Sequence, residues 1–384
     1  MKALHFGRFY GENFGGLERH VALLLKGLSR SAHVDNLVAN EGLSSEVLLV
    51  DGYRVFKVPS LGLFAGMALC PTMPYWARKL HYREHYDIVH LHFPDPMSHL
   101  AAMALPKDVR LVISWHSDIV RQQNLLKLYR PLLDRIIARA DAIIAATPRH
   151  FSSSTQLGRA DPARLHVVPY GIDFAPFEEP STRVAGDKLR ARYPGRKIIF
   201  AVGRHVYYKG FEYLIRAMMT IRQDALLILG GVGPLSASLR ALAAAEGVEN
   251  RVVFAGRIPD EGLPAYYHAA DVFCLPSVEP SEAFGLVQVE AMACGKPVVC
   301  CELGNGVSYV NQHEVTGLVV PPRDPEALAG ALNRLLDDGM LRQKMGEAGH
   351  ARAENEFTLE RMWRDTLAIY QKVAGSRITR NGDR

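Results

Sequence analysis

The sequence predicts an α/β protein with two Rossmann-like domains, each a parallel sheet covered by helices. Short β-rich runs alternate with longer segments of helical periodicity, which is the pattern of parallel sheets. The alternation stops at a stretch rich in proline, glycine and charge, YGIDFAPFEEPSTRVAG, and then restarts. A length of 384 residues also exceeds what one hydrophobic core usually supports. These observations favour two domains joined near residues 174–195.

Six predicted strands lie in the first half of the chain. They are KALHF, YRVFKV, YDIVHLH, RLVISWH, AIIAAT and RLHVVPYG. We place the first domain at residues 1–175. One helical segment within it, Arg121 to Ala140, interleaves leucine and isoleucine with arginine and lysine. Two interpretations stay open for this segment: its apolar side packs on the sheet, or it lies on an anionic membrane surface.

Six further predicted strands follow the proline-rich stretch. They are KIIFAVG, ALLILGG, RVVFAG, VFCLPS, PVVCC and TGLVV. They predict a second domain at residues 195–358. The remaining tail has helical patterns, and we expect a C-terminal helix at about 359–374 to pack back on the first domain.

The composition excludes several classes of protein. With 48% hydrophobic and 22% charged residues, the chain is an ordinary globular protein and neither disordered nor fibrous. A net charge of +5 without a long basic run does not require a nucleic-acid partner, but it suits an anionic ligand. No window has the roughly 18 uninterrupted apolar residues of a membrane-spanning helix, and no signal peptide is evident. We therefore expect a cytoplasmic protein, whose five cysteines are reduced and buried.

Ligands of open parallel sheets bind beyond the carboxyl ends of the strands, so residues that directly follow strands are the informative ones. KIIFAVG is followed by Arg204 and Lys209, with Gly203 and Gly210 beside them. Two cations next to flexible glycines suit a diphosphate. The alternative is a solvated basic loop.

A second anion-binding candidate follows VFCLPS. Phe284, Gly285 and Leu286 mark a helix start, whose backbone N–H groups attract anions. Glu282 stands just before this helix and Glu290 more than a turn inside it. Carboxylates on both sides imply that the ligand is not phosphate alone.

Glycines follow two more strands. ALLILGG ends in Gly230 and Gly231, and the pattern matches a dinucleotide fingerprint poorly because Ser236 stands where a third glycine would be. These glycines leave room for a ribose or a phosphate. After the first strand, Gly15 and Gly16 precede a helix that Glu18 opens, which predicts either ligand contact through backbone N–H groups or a plain turn.

Histidines follow two strands of the first domain, namely His90 and His92 in VHLHF and His116, with Asp118, in ISWHSD. The sequence contains no D-x-D, no H-E-x-x-H and no Cys/His quartet, so we expect no bound metal. Hydrogen bonding to a polar substrate is the interpretation we favour.

These motifs, in this order, resemble those of the retaining GT-B glycosyltransferases of glycosyltransferase family 4. The resemblance spans nearly the whole chain, from GGLERH through VVPYGID, GRHVYYKGFEYLI, LGGVGP, FAGRIPDEGLPAYYHAADVFCLPS and SEAFGLVQVEAMACGKPVV to TGLVVPPRDPEALAGAL. Its most specific element is E-x7-E, formed by Glu282 and Glu290. Gln288 and Ser308 depart from the commonest family pattern, which has an apolar and an acidic residue there. The resemblance implies a GT-B fold, in which two Rossmann-like domains face each other across a cleft.

The resemblance also implies roles for individual residues. In the second domain, Arg204 and Lys209 hold the donor diphosphate together with the N–H groups after Phe284. Glu282 accepts hydrogen bonds from the donor sugar, and Glu290 from the ribose. In the first, acceptor-side domain, His116 bonds a sugar hydroxyl and steadies the developing charge. The remaining donor-site residues are Gly15, Gly16, Gly231, Gly285 and Leu286.

The function implied by the resemblance is hexosyl transfer from a nucleotide sugar to a lipid-linked or lipopolysaccharide glycan, as in bacterial O-antigen or exopolysaccharide assembly. GDP-mannose or a related GDP-sugar is the first expected donor and a UDP-sugar the second. No cofactor or metal is expected, and the enzyme would work in the cytoplasm, including as a peripheral protein at the inner face of the cytoplasmic membrane. A GT-B sugar-nucleotide epimerase and a non-catalytic nucleotide-sugar-binding scaffold stay open as alternatives.

Overall fold

The computed structural model describes residues 1–10, 16–64, 67–119 and 123–380. The chain divides into two compact units. Unit 1 comprises Met1–Tyr170 and the C-terminal segment from Leu359, and unit 2 comprises Gly171–Thr358. Each unit contains a sheet with helices, so the predicted α/β class with two Rossmann-like units is confirmed.

The strands are short, as the β-rich runs of the sequence indicate. They are β1 (Lys2–Phe6), β2 (His33–Ala39), β3 (Glu46–Val50), β4 (Tyr53–Val58), β5 (Leu63–Phe64), β6 (Met67–Ala68), β7 (Ile88–Phe93), β8 (Arg110–Trp115), β9 (Ala142–Ala145), β10 (Leu165–Val167), β11 (Lys197–Val202), β12 (Ala225–Gly230), β13 (Val252–Gly256), β14 (Val272–Leu275), β15 (Val298–Cys301) and β16 (Gly317–Val320). Every predicted strand is present.

An α-helix lies between β1 and β2 and in each interval from β6 onward, and further helices form the C-terminal tail. They are α1 (Gly16–Leu28), α2 (Met73–Glu84), α3 (Pro96–Met103), α4 (Gln123–Arg139), α5 (Pro148–Ser153), α6 (Ala175–Glu178), α7 (Pro180–Arg190), α8 (Phe211–Ala217), α9 (Ser236–Ala245), α10 (Leu263–Ala269), α11 (Leu286–Ala293), α12 (Gly306–Val310), α13 (Pro325–Asp337), α14 (Gly339–Glu356) and α15 (Leu359–Arg380). No helix of the described residues is long and apolar enough to cross a membrane.

The sheet of unit 1 has eight strands in the order β10-β9-β8-β7-β1-β2-β4-β3. The chain builds the sheet in one direction from β1 and then in the other from β7, so the topological switch point lies between these two strands. The other strands of this sheet pair in parallel, as predicted, whereas the edge strand β3, which the sequence did not indicate, pairs antiparallel with β4.

The sequence did not indicate β2, because Asp35 and Asn36 interrupt its apolar run. Both side chains are nevertheless buried. Arg54 donates to the Asp35 carboxylate at 2.6 Å, and the hydroxyl of Tyr86 donates to it as well. Partners distant in the sequence thus let the Asp35 carboxylate lie in a buried strand.

Helix α4 packs its C-terminal half on the core of unit 1. Leu133, Ile136 and Ile137 are buried there. Near its beginning, Leu125 and Leu128 are 47% and 83% exposed. The packing interpretation therefore accounts for one half of the helix, and two apolar side chains of the other half face solvent. Arg121, the predicted start, lies outside the described residues.

The sheet of unit 2 has six parallel strands in the order β13-β12-β11-β14-β15-β16. Its switch point lies between β11 and β14. The proline-rich stretch before β11 forms α6 and α7, which belong to unit 2. Arg190 of α7 binds Asp271 at 3.1 Å, and Asp271 also accepts a hydrogen bond from the backbone N–H of Ile198 in β11 at 2.8 Å.

The C-terminal helix α15 belongs to unit 1, where it packs on α1. The indole of Trp363 donates a hydrogen bond to the backbone carbonyl of Leu23 at 2.8 Å. A Cβ atom at Gly27 would stand 2.0 Å from the Trp363 ring. The missing side chain at Gly27 is therefore what lets the two helices approach.

We expect Gly27→Ala to destabilise the protein by about 1–3 kcal/mol, because the added methyl group overpacks this helix contact. The matched control is Gly330→Ala in α13, where nothing lies within 4 Å of the new Cβ atom. That control should be neutral or stabilising by up to about 1 kcal/mol, since alanine favours helix more than glycine. Urea unfolding of both variants measures the difference, and equal stability would contradict the packing argument.

Candidate active site

A lysine and a glutamate from two different loops meet at the switch point of unit 2. Lys209 follows β11 and Glu282 follows β14, and these neighbouring parallel strands end at the same edge of the sheet. The Nζ of Lys209 lies 2.5 Å from Oε2 of Glu282. The hydroxyl of Ser277 donates to the same oxygen at 3.1 Å. The sequence predicts both charged residues for the site, but not their direct contact.

The ion pair is nearly enclosed. Lys209 is only 9% exposed. Burial opposes its charge, but the attraction and the hydrogen bond of Glu282 outweigh burial and raise the pKa of Lys209 above its usual value. Lys209 is therefore a cation whose charge the neighbouring carboxylate sustains.

A glycine allows these two loops to approach each other closely. Gly210 has φ +64°, and a Cβ atom there would stand 2.1 Å from the backbone carbonyl oxygen of Pro276. Only glycine adopts this conformation and permits this approach without strain. It therefore allows the loop after β11 to lie against the loop after β14, next to Lys209 and Glu282.

The loops after β11 and β12 make a similar close contact. Gly231 has φ +106°, and its Cβ would stand 1.9 Å from the carbonyl oxygen of Gly203. The predicted site residues Gly231 and Arg204 are thus on adjoining loops. Arg204 is exposed, and no carboxylate in the part of the chain that the structure describes forms an ion pair with it.

Helix α11 begins at Leu286 after Gly285, which adopts a left-handed conformation with φ +75°. The first amides of a helix have no acceptor within it, so the predicted anion-binding helix start is present at the same sheet edge. Phe284 is buried beside it. Gln288, unusual for the family, is fully buried and donates to the carbonyls of Phe284 at 3.2 Å and Val307 at 3.3 Å. It ties the helix start to α12.

The second glutamate of the E-x7-E element is held by a tyrosine that sequence reasoning missed. The hydroxyl of Tyr267, in α10, donates to Oε2 of Glu290 at 2.7 Å. Burial, followed by the charge of Glu290, raises the pKa of Tyr267, so the phenol keeps its proton and remains a donor. Tyr267 lies in one of the segments on which the resemblance rests, but nothing in that segment indicates a contact with Glu290, 23 residues further along the chain.

In unit 1, the loop after β1 leads to a buried glutamate. Glu18, in the first turn of α1, accepts from Nη2 of Arg8 at 2.6 Å and from Nε at 3.0 Å. The predicted residue Gly16 is the first residue of α1, and Gly15 lies outside the described residues. A cavity of about 90 Å³ at the ends of β1, β2 and β7 is lined by Arg8, Glu18, Asn36 and Asp95.

His116 directly follows β8 and is 7% exposed. Both of its ring nitrogens are hydrogen-bonded to protein groups, Nδ1 to the hydroxyl of Tyr170 and Nε2 to Nδ1 of His92 at 3.0 Å. Asp118 accepts from the indole of Trp115 at 3.0 Å and from the hydroxyl of Ser154 at 2.6 Å. Asp118 thus fixes the loop that follows β8. His116, in contrast, is hydrogen-bonded to a cluster of buried histidines.

The cluster comprises His116, His92, His90 and His5. Burial lowers the pKa of each of these rings, and neighbouring histidines lower it further. The pKa of His5 falls to about 3, and the pKa values of His90, His92 and His116 fall well below the usual value. All four are therefore neutral at neutral pH. Ring nitrogens of His5, His90 and His92 lie close enough together to hold a metal ion, but each ring is hydrogen-bonded to protein groups.

Comparisons with known proteins agree with this architecture. Residues 14–175 match the family described as Glycosyltransferase Family 4, and residues 188–352 match Glycosyl transferases group 1. The chain is 30% identical to O-antigen chain mannosyltransferase C of Escherichia coli, over 98% of this chain and 100% of that protein. It is 36% identical to the D-rhamnosyltransferase WbpZ of Pseudomonas aeruginosa, over 93% and 92% of the two chains.

A solved structure shares the fold. Sucrose-phosphate synthase from Thermosynechococcus elongatus superposes with a TM-score of 0.79 over 98% of this chain and 99% of that one, at 24% identity. Two Rossmann-like units with this site define the class of GT-B glycosyltransferases. The chain belongs to glycosyltransferase family 4, with a group 1 domain in its second half. The resemblance read from the motifs is confirmed.

The neutral histidines predict a strong pH dependence of stability. The unfolded chain takes up protons as the pH falls through about 6.5, the ordinary histidine value, whereas the folded state keeps its buried rings neutral. The free energy of unfolding should therefore be highest above pH 6.5 and should decrease as the pH falls below that value. At pH 5.5 the loss is about 1.4 kcal/mol for each such histidine. Urea unfolding at pH 7.5 and 5.5 measures it, and equal values at both pH values would contradict neutral burial.

Proposed function

We propose that this glycosyltransferase moves a hexosyl group from a nucleotide sugar to a lipid-linked or lipopolysaccharide glycan, with retention of anomeric configuration and without a metal ion. GDP-mannose or a related GDP-sugar is the first donor we propose, and a UDP-sugar the second. The proposal rests above all on the buried pair of Lys209 and Glu282 at the switch point of unit 2.

This ion pair offers a cation for a phosphate and a carboxylate for a sugar hydroxyl, the two groups that a nucleotide sugar presents. Lys209 and Ser277 both donate to Oε2 of Glu282. No described residue donates a hydrogen bond to the second oxygen, Oε1. Oε1 is therefore available to a hydroxyl of the donor sugar. The lysine ammonium has three N–H donors and gives one to Glu282, so others can reach a phosphate oxygen. Glu290, positioned by Tyr267, would accept a hydrogen bond from the ribose.

The proposed chemical step is a transfer on one face of the donor sugar. The acceptor hydroxyl oxygen bonds to the anomeric carbon on the face from which the phosphate oxygen departs, and the bond from that carbon to the phosphate breaks. The hydroxyl proton passes to the departing phosphate oxygen. Arg204, Lys209 and the first amides of α11 stabilise the charge on the leaving nucleoside diphosphate. Fixed donors of this kind contribute about 3–4 kcal/mol each where water is excluded.

The relatives support a donor with the manno configuration. One relative is named a mannosyltransferase and another a D-rhamnosyltransferase, and rhamnose is 6-deoxymannose. The mannosyltransferase is named for the O-antigen chain, which favours a glycan of the bacterial surface as acceptor.

Unit 1 carries a cavity that suits hydroxyl groups of the acceptor. Oε2 of Glu18 and Oδ1 of Asn36 are buried and have no hydrogen-bond partner among the described residues. Both residues line the cavity beside β1, and both oxygen atoms can only accept hydrogen bonds. A glycan hydroxyl would satisfy either one. For membrane-linked acceptors, the exposed Leu125 and Leu128 of α4 support peripheral association with the inner face of the cytoplasmic membrane.

The test is an assay of the purified enzyme with a panel of GDP-, UDP- and dTDP-sugars and lipid-linked glycan acceptors. Sugar transfer with EDTA present, and product with the donor's anomeric configuration by NMR, would support every part of the proposal. Conversion of the donor without any acceptor would favour an epimerase. Tight donor binding with neither transfer nor hydrolysis would favour a binding scaffold.

We expect Glu282→Gln to lower kcat/KM for transfer by about tenfold to a hundredfold, because a charge-assisted hydrogen bond to the sugar is lost. The control is Glu279→Gln, which removes a more exposed carboxylate that pairs with Arg323. The control should keep wild-type kinetics, and thermal unfolding verifies that both variants fold. Wild-type kinetics of Glu282→Gln would remove the proposed sugar contact.

Arg204→Ala should weaken binding of the nucleoside diphosphate about tenfold to a hundredfold, which calorimetry measures directly. Because Arg204 is exposed and has no ion-pair partner in the described part of the chain, its removal should leave the unfolding temperature unchanged. Arg240→Ala is the matched control, since Arg240 is also exposed and lies over the Phe254 ring at 4.4 Å. Equal affinity of both variants would refute the assignment of Arg204.

A further inference from the structure

The buried histidines of unit 1 occupy one face of its sheet, at the switch point. His5 in β1 stands beside His90 in β7, and His92 stands beside Ser114 in β8. Successive side chains of a strand alternate between faces, so His90 and His92 share one face. Helices α1 and α15 cover it with apolar residues. These polar rings therefore lie where the rest of the layer is hydrophobic.

Hydrogen bonds connect His116 to the interior of this layer. Nε2 of His116 lies 3.0 Å from Nδ1 of His92, and Nε2 of His92 lies 3.2 Å from Nδ1 of His5. The rings of His92 and His116 are stacked with 5.3 Å between their centroids. A continuous path thus leads from the predicted catalytic histidine to β1.

A tyrosine of the C-terminal helix continues the path. The hydroxyl of Tyr370, a fully buried residue of α15, lies 2.8 Å from Nε2 of His5 and 2.5 Å from Nδ1 of His90. Nε2 of His90 lies 2.8 Å from the hydroxyl of Ser114. Together these groups form what we name the relay, listed in order: Tyr170, His116, His92, His5, Tyr370, His90 and Ser114.

The relay allows only two proton arrangements. A neutral imidazole has one N–H and one accepting nitrogen, and the Tyr370 hydroxyl has one proton. If Tyr370 donates to His90, it must accept from His5, and then each histidine of the relay carries its proton on Nε2. If Tyr370 donates to His5 instead, each of them carries its proton on Nδ1. Every nitrogen is satisfied in both arrangements, and the four histidines always share one tautomer.

We propose that Tyr370 is a positioning residue: its hydroxyl couples the common tautomer of His116, His92 and His5 to that of His90. The inference rests on the proposed function in one respect, that His116 serves the donor sugar. Nδ1 of His116 is the nitrogen that bonds the Tyr170 hydroxyl. The relay decides whether this atom offers the Tyr170 hydroxyl a proton or a lone pair, and hence whether that hydroxyl can donate onward.

The first test reads tautomers without any substrate. Long-range ¹H–¹⁵N correlation spectra of protein labelled with ¹⁵N-histidine show which ring nitrogen carries the proton, and single histidine variants assign the signals. We expect one common tautomer for the four histidines in the wild type. A mixed set in the wild type would overturn the relay.

Tyr370→Phe should break the common tautomer. A buried N–H without an acceptor is less tolerated than a buried accepting nitrogen without a donor. His5 should then move its proton to Nδ1, and His92 and His116 should follow, whereas His90 should hold its proton on Nε2 towards Ser114. A common tautomer retained in this variant would overturn the proposal. Tyr53→Phe removes another buried hydroxyl of unit 1, outside the relay, and should change no tautomer.

Ser114→Ala tests the coupling even if Tyr370→Phe does not fold. Without the serine hydroxyl, His90 should place its proton on Nδ1, and through Tyr370 all four histidines should become Nδ1–H. A His116 that carries its proton on Nε2 in this variant would contradict the coupling.

Activity supplies the second readout. A variant that changes the tautomer of His116 should lower kcat about tenfold, the equivalent of roughly 1.4 kcal/mol in the barrier, with an unchanged KM for the donor. Variants that leave the tautomer unchanged should keep the wild-type kcat. Absence of transfer from every nucleotide sugar would refute the proposed function but not the coupling, which the spectra test separately.

Metal analysis of the purified protein tests whether the histidine cluster binds a metal ion instead. Stoichiometric zinc, or uptake of added Zn²⁺ with loss of the coupled N–H signals, would overturn the relay, because a metal-bound nitrogen cannot exchange hydrogen bonds with its neighbour. We expect neither, since every ring nitrogen of the relay has a hydrogen-bond partner within unit 1.

Discussion

Parallel pairing of strands is the constraint on which both halves of this glycosyltransferase depend. Parallel strands end at one edge of a sheet, and a switch in strand order opens a crevice at that edge. In unit 2 the crevice lies between β11 and β14, and Lys209 and Glu282 reach it from the loops after these strands. In unit 1 the equivalent position lies between β1 and β7, where His5 and His90 stand side by side.

Burial then decides how these polar groups are held. A polar atom removed from water needs a partner, so each buried group of the candidate site is fixed by another. Lys209 has Glu282, Glu290 has Tyr267, and His116 has Tyr170 and His92. A site built in this way is largely preorganised, because its groups hold one another in position before a substrate arrives.

Strand content and strand ends were predictable from local pattern, but β2, β3 and the helices of the proline-rich stretch were not. β2 carries a buried aspartate, Asp35, whose carboxylate is paired only because Arg54 and Tyr86 meet it in space. The E-x7-E glutamates and the cations after KIIFAVG were likewise readable, since a strand, a loop and a helix start are adjacent in the chain. Their supporting partner Tyr267 lies in a different helix, 23 residues before Glu290, and the contact depends on how α10 and α11 pack.

The sequence by itself determined the two-domain α/β class, the family and the residues that follow each strand, because period, spacing and motif are properties of short segments. Only the tertiary structure decided which of those residues touch. Tyr370 is 280 residues from His90 and 365 from His5, yet one hydroxyl joins both. Such contacts depend on how α15 packs on the sheet of unit 1. A local sequence pattern cannot predict how a helix packs on strands that are far away in the chain.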